Sequence, residues 1–422
     1  MEKGRTSDRC LDAVNVALSA TCGGNRWFAS TKELQLASLD FCIACRGANT
    51  LCLRVDGDTP PTLLVEAAQL SSGPKGKRLT RLPRFRARGV TWKLPSAAEL
   101  RVEIHALVYA RSWVFGTEFD KSLEAVVWPH HLERLALGYR YNRVVDRVSW
   151  PSSLQELEMG HHFNQPIDGV SWPRSLKVLT FGFDFNRPIE GVTWTDSIRE
   201  ITFGCGFNQD VGGVVWPTSL EKLKFGRCFN RPIDAVVWPA SLRHLTLGYS
   251  FNQAIHGVSW PASLRQLILG YDFNQPVAEV AWSSSLEQLT FGSCFDQTIQ
   301  SVSWPRSLKH LTFGFRFDQS VAYAAWPALR RLTLGWSFKQ SLLGIGTWFP
   351  NLEDLTLMMS RADYPHSLVG VDWPAALTRL TLGVGFDLDV ARLPEGVKVI
   401  FKKFYGKRGF VFSAEPLSAH SS

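Results

Sequence analysis

The residues with the clearest potential for chemistry are cysteines and paired histidines. Cys42 and Cys45 have the spacing of a zinc ligand pair, but no second Cys pair and no His-x-x-x-His follows them. We interpret this C-x-x-C as part of an apolar segment. His161 and His162 are adjacent, and we expect isolated histidines of this kind to be ordinary surface residues.

Sequence patterns typical of catalysis are missing from the chain. It contains no G-x-S-x-G, phosphate-binding loop, dinucleotide fingerprint or H-E-x-x-H. The paired carboxylates Glu353 and Asp354 fall on a predicted strand, where successive side chains point to opposite faces and do not converge on one substrate atom. We therefore expect a non-enzymatic protein with no catalytic residues, no metal site and no cofactor.

Tryptophan recurs every 22 residues, eleven times from Trp128 to Trp348, which marks the chain as a repeat array. The unit that begins at Trp172 reads W-P-R-S-L-K-V-L-T-F-G-F-D-F-N-R-P-I-E-G-V-T. Its apolar residues are too few to close a core alone, so each copy must pack against its neighbours.

The unit from Trp238 predicts how each repeat folds. L-x-x-L-x-L indicates a short strand with Leu245 and Leu247 pointing inward, and stacked copies would pair in a parallel sheet. Gly248 is expected to end the strand at a tight turn. Proline after the tryptophan excludes a helix there, which favours extended or 3₁₀ segments on the back of each repeat.

The pattern resembles two related repeat families. The strand segment followed by Asn resembles a leucine-rich repeat, and F-N-Q/R-P-I resembles the FNIP repeat, a 22-residue relative. The resemblance extends over roughly residues 106–402. It implies a leucine-rich-repeat-like solenoid that serves as an interaction surface and has no implied activity. The matching segments begin at Phe163, Phe185, Phe229 and Phe273, with weaker copies at Phe207, Phe251, Phe295 and Phe317.

Breaks in the pattern predict the domain organisation. Residues 1–90 form a non-repetitive N-terminal cap or small domain with a basic linker at its end, and residues 91–127 form a degenerate capping repeat. Twelve repeats occupy residues 128–392. Residues 393–408 form a C-terminal cap, and a disordered tail is expected over residues 409–422.

Two features of the array carry specific expectations. Asparagine marks one turn seven times, from Asn142 to Asn274, and we expect these side chains to be buried and to bond backbone groups of the next repeat. The ladder should loosen where the column becomes Asp296 and Asp318. A three-residue insertion within residues 358–367 is expected to form an exposed bulge, either a tolerated insertion or a binding loop.

The net charge of +8 resides in the flanks. Eight basic residues lie between Lys75 and Lys93 and five between Lys398 and Arg408, so the rest of the chain carries 8 − 13 = −5. Such runs are typical of solvated linkers or import signals, but they also support nucleic-acid or anionic-surface binding as the alternative function. The chain has no N-x-Ser/Thr acceptor, no apolar leader and no membrane span, so a cytoplasmic or nuclear location is expected.

The leading functional hypothesis is a scaffold that binds an unidentified protein partner through its concave sheet face and strand ends. The sequence does not indicate its oligomeric state. One column projects from the strands at the first position of each, from Arg134 to Arg379, and varies in charge and shape from repeat to repeat. Its site candidates are Arg134, Lys222, His244, His310 and Arg331. A second column follows the strand-end glycine and either packs in the core or at its rim or forms a binding strip. Its candidates are Tyr139, His161, Phe183, Tyr249, Tyr271, Phe315 and Trp336.

Overall fold

A computed structural model of the chain shows two compact units, residues 1–185 (the N-terminal unit) and residues 186–422 (the C-terminal unit), and each is described by itself. The residues that the structure describes are 51–54, 90–94, 111–124, 126, 128–322, 326, 328–405 and 410–413. Cys42, Cys45 and most of the basic segment from Lys75 to Lys93 lie outside them.

The N-terminal unit contains six described strands, each paired in parallel with the next. They are β1 (Leu51–Arg54), β2 (Val90–Leu94), β3 (Ser112–Phe115), β4 (Arg134–Ala136), β5 (Glu156–Glu158) and β6 (Val178–Thr180). The last three begin 22 residues apart, so the parallel sheet follows the sequence period.

The C-terminal unit continues the same pattern with ten consecutive parallel strands and one antiparallel strand at the end. They are β7 (Glu200–Thr202), β8 (Lys222–Lys224), β9 (His244–Thr246), β10 (Gln266–Ile268), β11 (Gln288–Thr290), β12 (His310–Thr312), β13 (Arg331–Leu334), β14 (Asp354–Leu357), β15 (Arg379–Leu382), β16 (Lys398–Tyr405) and β17 (Phe410–Ser413). β17 lies where the sequence predicts a disordered tail; its Phe-Val-Phe run suits a strand, and it pairs with the edge of β16.

Strands β3 to β14 each bury one face, as the apolar alternation predicts. In β9, Leu245 is fully buried and Leu247 follows it into the core, while His244 and Thr246 are half-buried on the other face. The repeat solenoid with a parallel sheet is therefore confirmed in both units.

The back of each repeat consists of turns. The Leu242 amide donates to the Pro239 carbonyl at 3.0 Å, and the Val258 amide donates to the Ile255 carbonyl at 3.3 Å. These i to i−3 bonds are those of β-turns and 3₁₀ segments. Helix in the described chain is limited to α1 (Ile345–Trp348) and a 3₁₀ turn over Val390–Arg392, and no described helix is long and apolar enough to cross a membrane.

Aromatic rings stack through the core from repeat to repeat. Trp238 and Trp260 lie 6.5 Å apart between centroids, and Phe251 and Phe273 lie 6.2 Å apart. Both phenylalanines are fully buried, so this column supplies much of the apolar burial that no single repeat could achieve.

The 22-residue period of tryptophan assigns the core position to Trp348, but the structure places Phe349 there. Phe349, not Trp348, is fully buried and stacks on Trp326 at 5.6 Å, while Trp348 is half-buried at the end of α1. Leu329 follows Trp326 by three residues, and Leu352 follows Phe349 by three as well. The shorter turn therefore moves the core position one residue along the chain.

The asparagine column forms a hydrogen-bond ladder between repeats. Oδ1 of Asn208 accepts the Asn230 amide, and Oδ1 of Asn230 accepts the Asn252 amide, both at 2.9 Å. The Gln253 Nε2 also donates to Asn230 Oδ1 at 2.9 Å. The ladder was correctly predicted, but its burial was not: these side chains are half-buried, and Asn142 is exposed.

The expected loosening at aspartate does not occur. The Asp318 amide donates to Asp296 Oδ1 at 3.0 Å, and the Lys339 amide donates to Asp318 Oδ1 at 2.7 Å. The ladder uses the side chain only as an acceptor, and a carboxylate retains that oxygen. A second ladder runs through the W-P-x-S-L serines, in which Ser241 donates to the Leu220 carbonyl at 2.7 Å.

The strand-end glycines are required by contact between repeats rather than by turn conformation. A Cβ on Gly248 would lie 2.3 Å from the carbonyl oxygen of Gly226. Among the described glycines, a positive φ occurs only at Gly344, Gly370, Gly385 and Gly396, which lie outside this column. The prediction of a tight turn at Gly248 therefore gave the wrong physical reason.

The insertion within residues 358–367 replaces part of the core. Met359 and Tyr364 are buried, and the Tyr364 hydroxyl donates to the Gln340 carbonyl at 2.9 Å. The Tyr364 ring lies 5.8 Å from Phe386, so it fills the position that Phe holds in other repeats. The expected exposed bulge is thus wrong for these two side chains, although Arg361 and Asp363 are exposed.

The ladder predicts which substitutions at Asn230 are tolerated. Asn230→Ala removes the acceptor for the Asn252 amide and the Gln253 side chain, and we expect the free energy of unfolding to fall by about 1–2 kcal/mol. Asn230→Asp keeps the acceptor and should cost much less. Urea unfolding of both variants tests this, and equal losses would contradict an acceptor-only role.

Gly248 provides a second stability test. Gly248→Ala forces a Cβ against backbone, and we expect a loss of more than about 2 kcal/mol or failure to fold. Gly257→Ala is the matched control, because its nearest neighbour would be Asp234 Cβ at 3.7 Å. The control should be neutral or slightly stabilising in thermal unfolding. Similar melting temperatures for the two variants would refute close approach as the reason for this glycine.

Candidate interaction surface

The residue after each strand-end glycine starts a turn whose backbone is tied to the next repeat. The His162 amide donates to the Tyr139 carbonyl, and the Asp184 amide donates to the His161 carbonyl, both at 3.0 Å. In the C-terminal unit, the Asp272 amide donates to the Tyr249 carbonyl at 3.0 Å. These bonds hold successive side chains in register. We call this column the strand-end strip; its described members are Tyr139, His161 and Phe183 in the N-terminal unit, and Cys205, Arg227, Tyr249, Tyr271, Ser293, Phe315 and Trp336 in the C-terminal unit.

The rings of the strip are not core residues. Tyr139, Phe183 and Tyr249 expose 46%, 49% and 40% of their surface. The other aromatic members, His161, Tyr271, Phe315 and Trp336, are half-buried. The sequence left core or rim packing and a binding strip as alternatives, and these exposures exclude full burial but leave packing at the rim and a binding strip both open.

Neighbouring rings of the strip stack face to face. His161 lies between Tyr139 at 4.3 Å and Phe183 at 4.8 Å, and Tyr249 lies 4.4 Å from Tyr271 with their planes 4° apart. In the C-terminal unit the Arg227 guanidinium lies 4.9 Å from the Tyr249 ring centre, a cation–π contact. Phe315 and Trp336 form a looser pair at 6.3 Å.

The candidate column on the strands, which begins at Arg134, varies in sequence, but many of its charged side chains are held in ion pairs with the adjacent strand. Arg134 pairs with Glu156 at 2.9 Å, and Lys222 pairs with Glu200 at 3.4 Å. Arg331 reaches Asp354 at 3.4 Å. Opposite charges therefore face each other on adjacent strands, where like charges would repel. These exposed pairs contribute little stability, but they leave the strand face with few uncompensated charges.

His244 and His310 lie among cations on the same face. Partial burial and then Lys222 lower the pKa of His244, and partial burial and then Arg331 lower that of His310. The usual value is 6.5, so both rings are neutral at neutral pH. Together with Gln266 and Gln288, they give this part of the face a neutral polar character.

The structure also brings together residues that the sequence analysis treated separately. His162 Nδ1 lies 2.5 Å from Asp184 Oδ2, and His161 is adjacent to both. The sequence signal was available, because His162 and Asp184 are 22 residues apart and occupy the same column of adjacent repeats. Cys205 and Cys228 are free thiols, although the Cys228 amide donates to the Cys205 carbonyl at 2.8 Å.

Comparison with known proteins assigns the repeats. The FNIP Repeat family model matches residues 141–184, 207–250, 251–280 and 283–316. The chain contains FNIP repeats. No curated protein matches the chain significantly.

One solved structure supports the leucine-rich-repeat-like fold. CroV588, described as a novel circular LRR protein, is 34% identical with a TM-score of 0.66 over 74% of this chain. This chain covers only 46% of that protein. An internalin (inlF) from Listeria monocytogenes also matches, with 15% identity and a TM-score of 0.42. The match covers 70% of this chain and 86% of the internalin chain.

The two histidines predict a pH dependence of stability. Because their folded-state pKa values are lowered, the unfolded chain binds protons first as the pH falls below about 6.5. The free energy of unfolding should therefore decrease from neutral pH down to the folded-state pKa values. In the double variant His244→Gln/His310→Gln, which copies Gln266 and Gln288 of the same column, the decrease should be shallower in urea unfolding. Identical slopes for wild type and variant would contradict the assignment.

Proposed function

We propose that the chain is a non-enzymatic scaffold that binds a protein partner through the strand-end strip and the adjoining strand face. The observation that carries this proposal is the exposure of Tyr139 and Phe183 in the N-terminal unit and of Tyr249 in the C-terminal unit, on turns that backbone hydrogen bonds tie to the next repeat. Large aromatic side chains are enriched at the energetic centres of protein interfaces. Repeat solenoids of this kind typically act as interaction surfaces.

Stacking prepares these rings for binding. Tyr249 and Tyr271 are held parallel at 4.4 Å, with Arg227 over the outer face of Tyr249. A ring that is already fixed loses little conformational entropy on contact with a partner. Tyrosine and arginine together also offer apolar surface and hydrogen-bond donors in one place.

The strand face beside the strip supplies specificity. Thr246, Thr290 and Thr312 are half-buried there and present hydroxyl groups in register. The paired charges of the strand column fix a charge pattern without a large net field. Such complementarity selects among partners more than it strengthens binding.

Binding of nucleic acid or anionic surfaces remains the alternative from sequence. It depends on basic segments that lie mostly outside the described residues, so no described contact favours it. It is distinguished by salt: phosphate contacts give a steep linear fall of log affinity with log salt concentration, and an aromatic interface does not.

The test is affinity capture from the native organism with the full chain and two variants, followed by affinity measurement with the purified partner. Tyr249→Ala/Tyr271→Ala should weaken binding by about thirtyfold, since loss of an interface centre costs about 2 kcal/mol or more. Val215→Ser/Val237→Ser is the matched control. These valines expose 78% and 79% of their surface away from the strip.

Serine suits the control positions because Ser259 and Ser303 occupy the same column. The control should retain full binding, and both variants should melt close to wild type. The proposal fails if the tyrosine variant folds and retains the partner at wild-type affinity. It also fails if all captured material is nucleic acid that dissociates with a steep salt dependence.

A further inference from the structure

His161, His162 and Asp184 form a compact group on the surface of the N-terminal unit. The two histidines follow Gly160 after β5, and Asp184 follows Phe183 after β6. The Asp184 amide donates to the His161 carbonyl at 3.0 Å, which fixes the two turns against each other. As a result, two imidazoles from one repeat and a carboxylate from the next repeat lie close together on the surface.

The distances within this group suit coordination of one ion. One potential ligand atom from each residue lies within 4.8 Å of the others, and the closest pair is His162 Nδ1 and Asp184 Oδ2 at 2.5 Å. Tetrahedral Zn²⁺ has bonds of about 2.0–2.2 Å, which places its ligand atoms about 3.3 Å apart. That separation lies within the 4.8 Å limit, and His162 Nδ1 and Asp184 Oδ2 must move apart from 2.5 Å to reach it.

The His161 ring is positioned by its stacking partners. Tyr139 and Phe183 hold it from both sides at 4.3 Å and 4.8 Å. Neither ring nitrogen has a hydrogen-bond partner among the described residues, and Nδ1 is buried. An imidazole that is fixed in orientation but has no polar partner is prepared to act as a ligand.

The local charge also favours a cation. Arg140 lies on the neighbouring turn, but its guanidinium is paired with Glu118 at 2.7 Å. Asp184 therefore places a carboxylate beside the two imidazoles, while the nearby guanidinium is already paired. Binding of a divalent ion would replace the hydrogen bond between His162 Nδ1 and Asp184 Oδ2.

We propose that His161, His162 and Asp184 bind one divalent transition-metal ion of the Zn²⁺ type, with water completing the coordination. Two imidazoles and one carboxylate match the ligand preference of zinc and exclude the all-oxygen sites of Ca²⁺ and Mg²⁺. This proposal does not rest on partner binding, although His161 is also a member of the strand-end strip.

The test is titration of the purified, untagged full chain with Zn²⁺ by calorimetry. The wild-type chain should bind one equivalent of Zn²⁺ at this site. In each ligand variant the affinity of this site for Zn²⁺ should fall by at least about tenfold or binding should be lost, since even loss of a supporting group costs a metal site that much affinity. The variants are His161→Phe, His162→Ser and Asp184→Asn. His161→Phe keeps a ring in the stack, as Phe183 does in the next repeat, and His162→Ser copies Ser250 of the same column.

His256→Gln, at an exposed histidine outside the cluster, is the matched control and should bind Zn²⁺ like wild type. X-ray absorption at the zinc edge of the wild-type complex gives a second readout that does not depend on variant folding. We expect two imidazoles and no sulfur. Absence of Zn²⁺ binding by wild type, unchanged binding by all three variants, or sulfur ligands from the cysteines would each overturn the proposal.

Discussion

Each repeat is too small to bury its own apolar residues, so contacts between a residue and the equivalent residue in the next repeat are required for folding. This requirement selects side chains that can pair with copies of themselves. Aromatic rings stack, as Phe251 does on Phe273. Each asparagine side chain accepts the backbone amide of the next repeat, and its own backbone amide donates to the asparagine side chain of the preceding repeat. Glycine allows the backbones to approach until no Cβ would fit.

The same constraint explains where the sequence varies. A charged residue cannot pair with a copy of itself on a neighbouring strand, so charge in the strand column changes sign where strands meet, as at Arg134 and Glu156. Variation in this column is therefore partly electrostatic compensation within the fold. The strip after the glycine has no such requirement, and its stacked, exposed rings are the better candidate for recognition.

Departures from the period show how the array tolerates change. Phe349 takes the core position that the spacing assigns to Trp348, because the turn from Phe349 to Leu352 is one residue shorter than the corresponding turn of a regular repeat. Tyr364 fills the phenylalanine position within an insertion, and its hydroxyl reaches the Gln340 carbonyl. In both cases the column is preserved in space, although the sequence register changes.

The sequence alone determined the repeat, the strand, the inward faces of Leu245 and Leu247, and the acceptor ladder at Asn230, because each depends on a local pattern repeated many times. Tertiary structure alone decided how deeply the asparagines lie, why Gly248 must be glycine, and that Tyr249 is exposed. These properties depend on the distance and rotation between successive repeats, which periodicity does not specify. The meeting of His161, His162 and Asp184 belongs to the same class, since a 22-residue spacing places two residues in one column but does not say whether their side chains face each other.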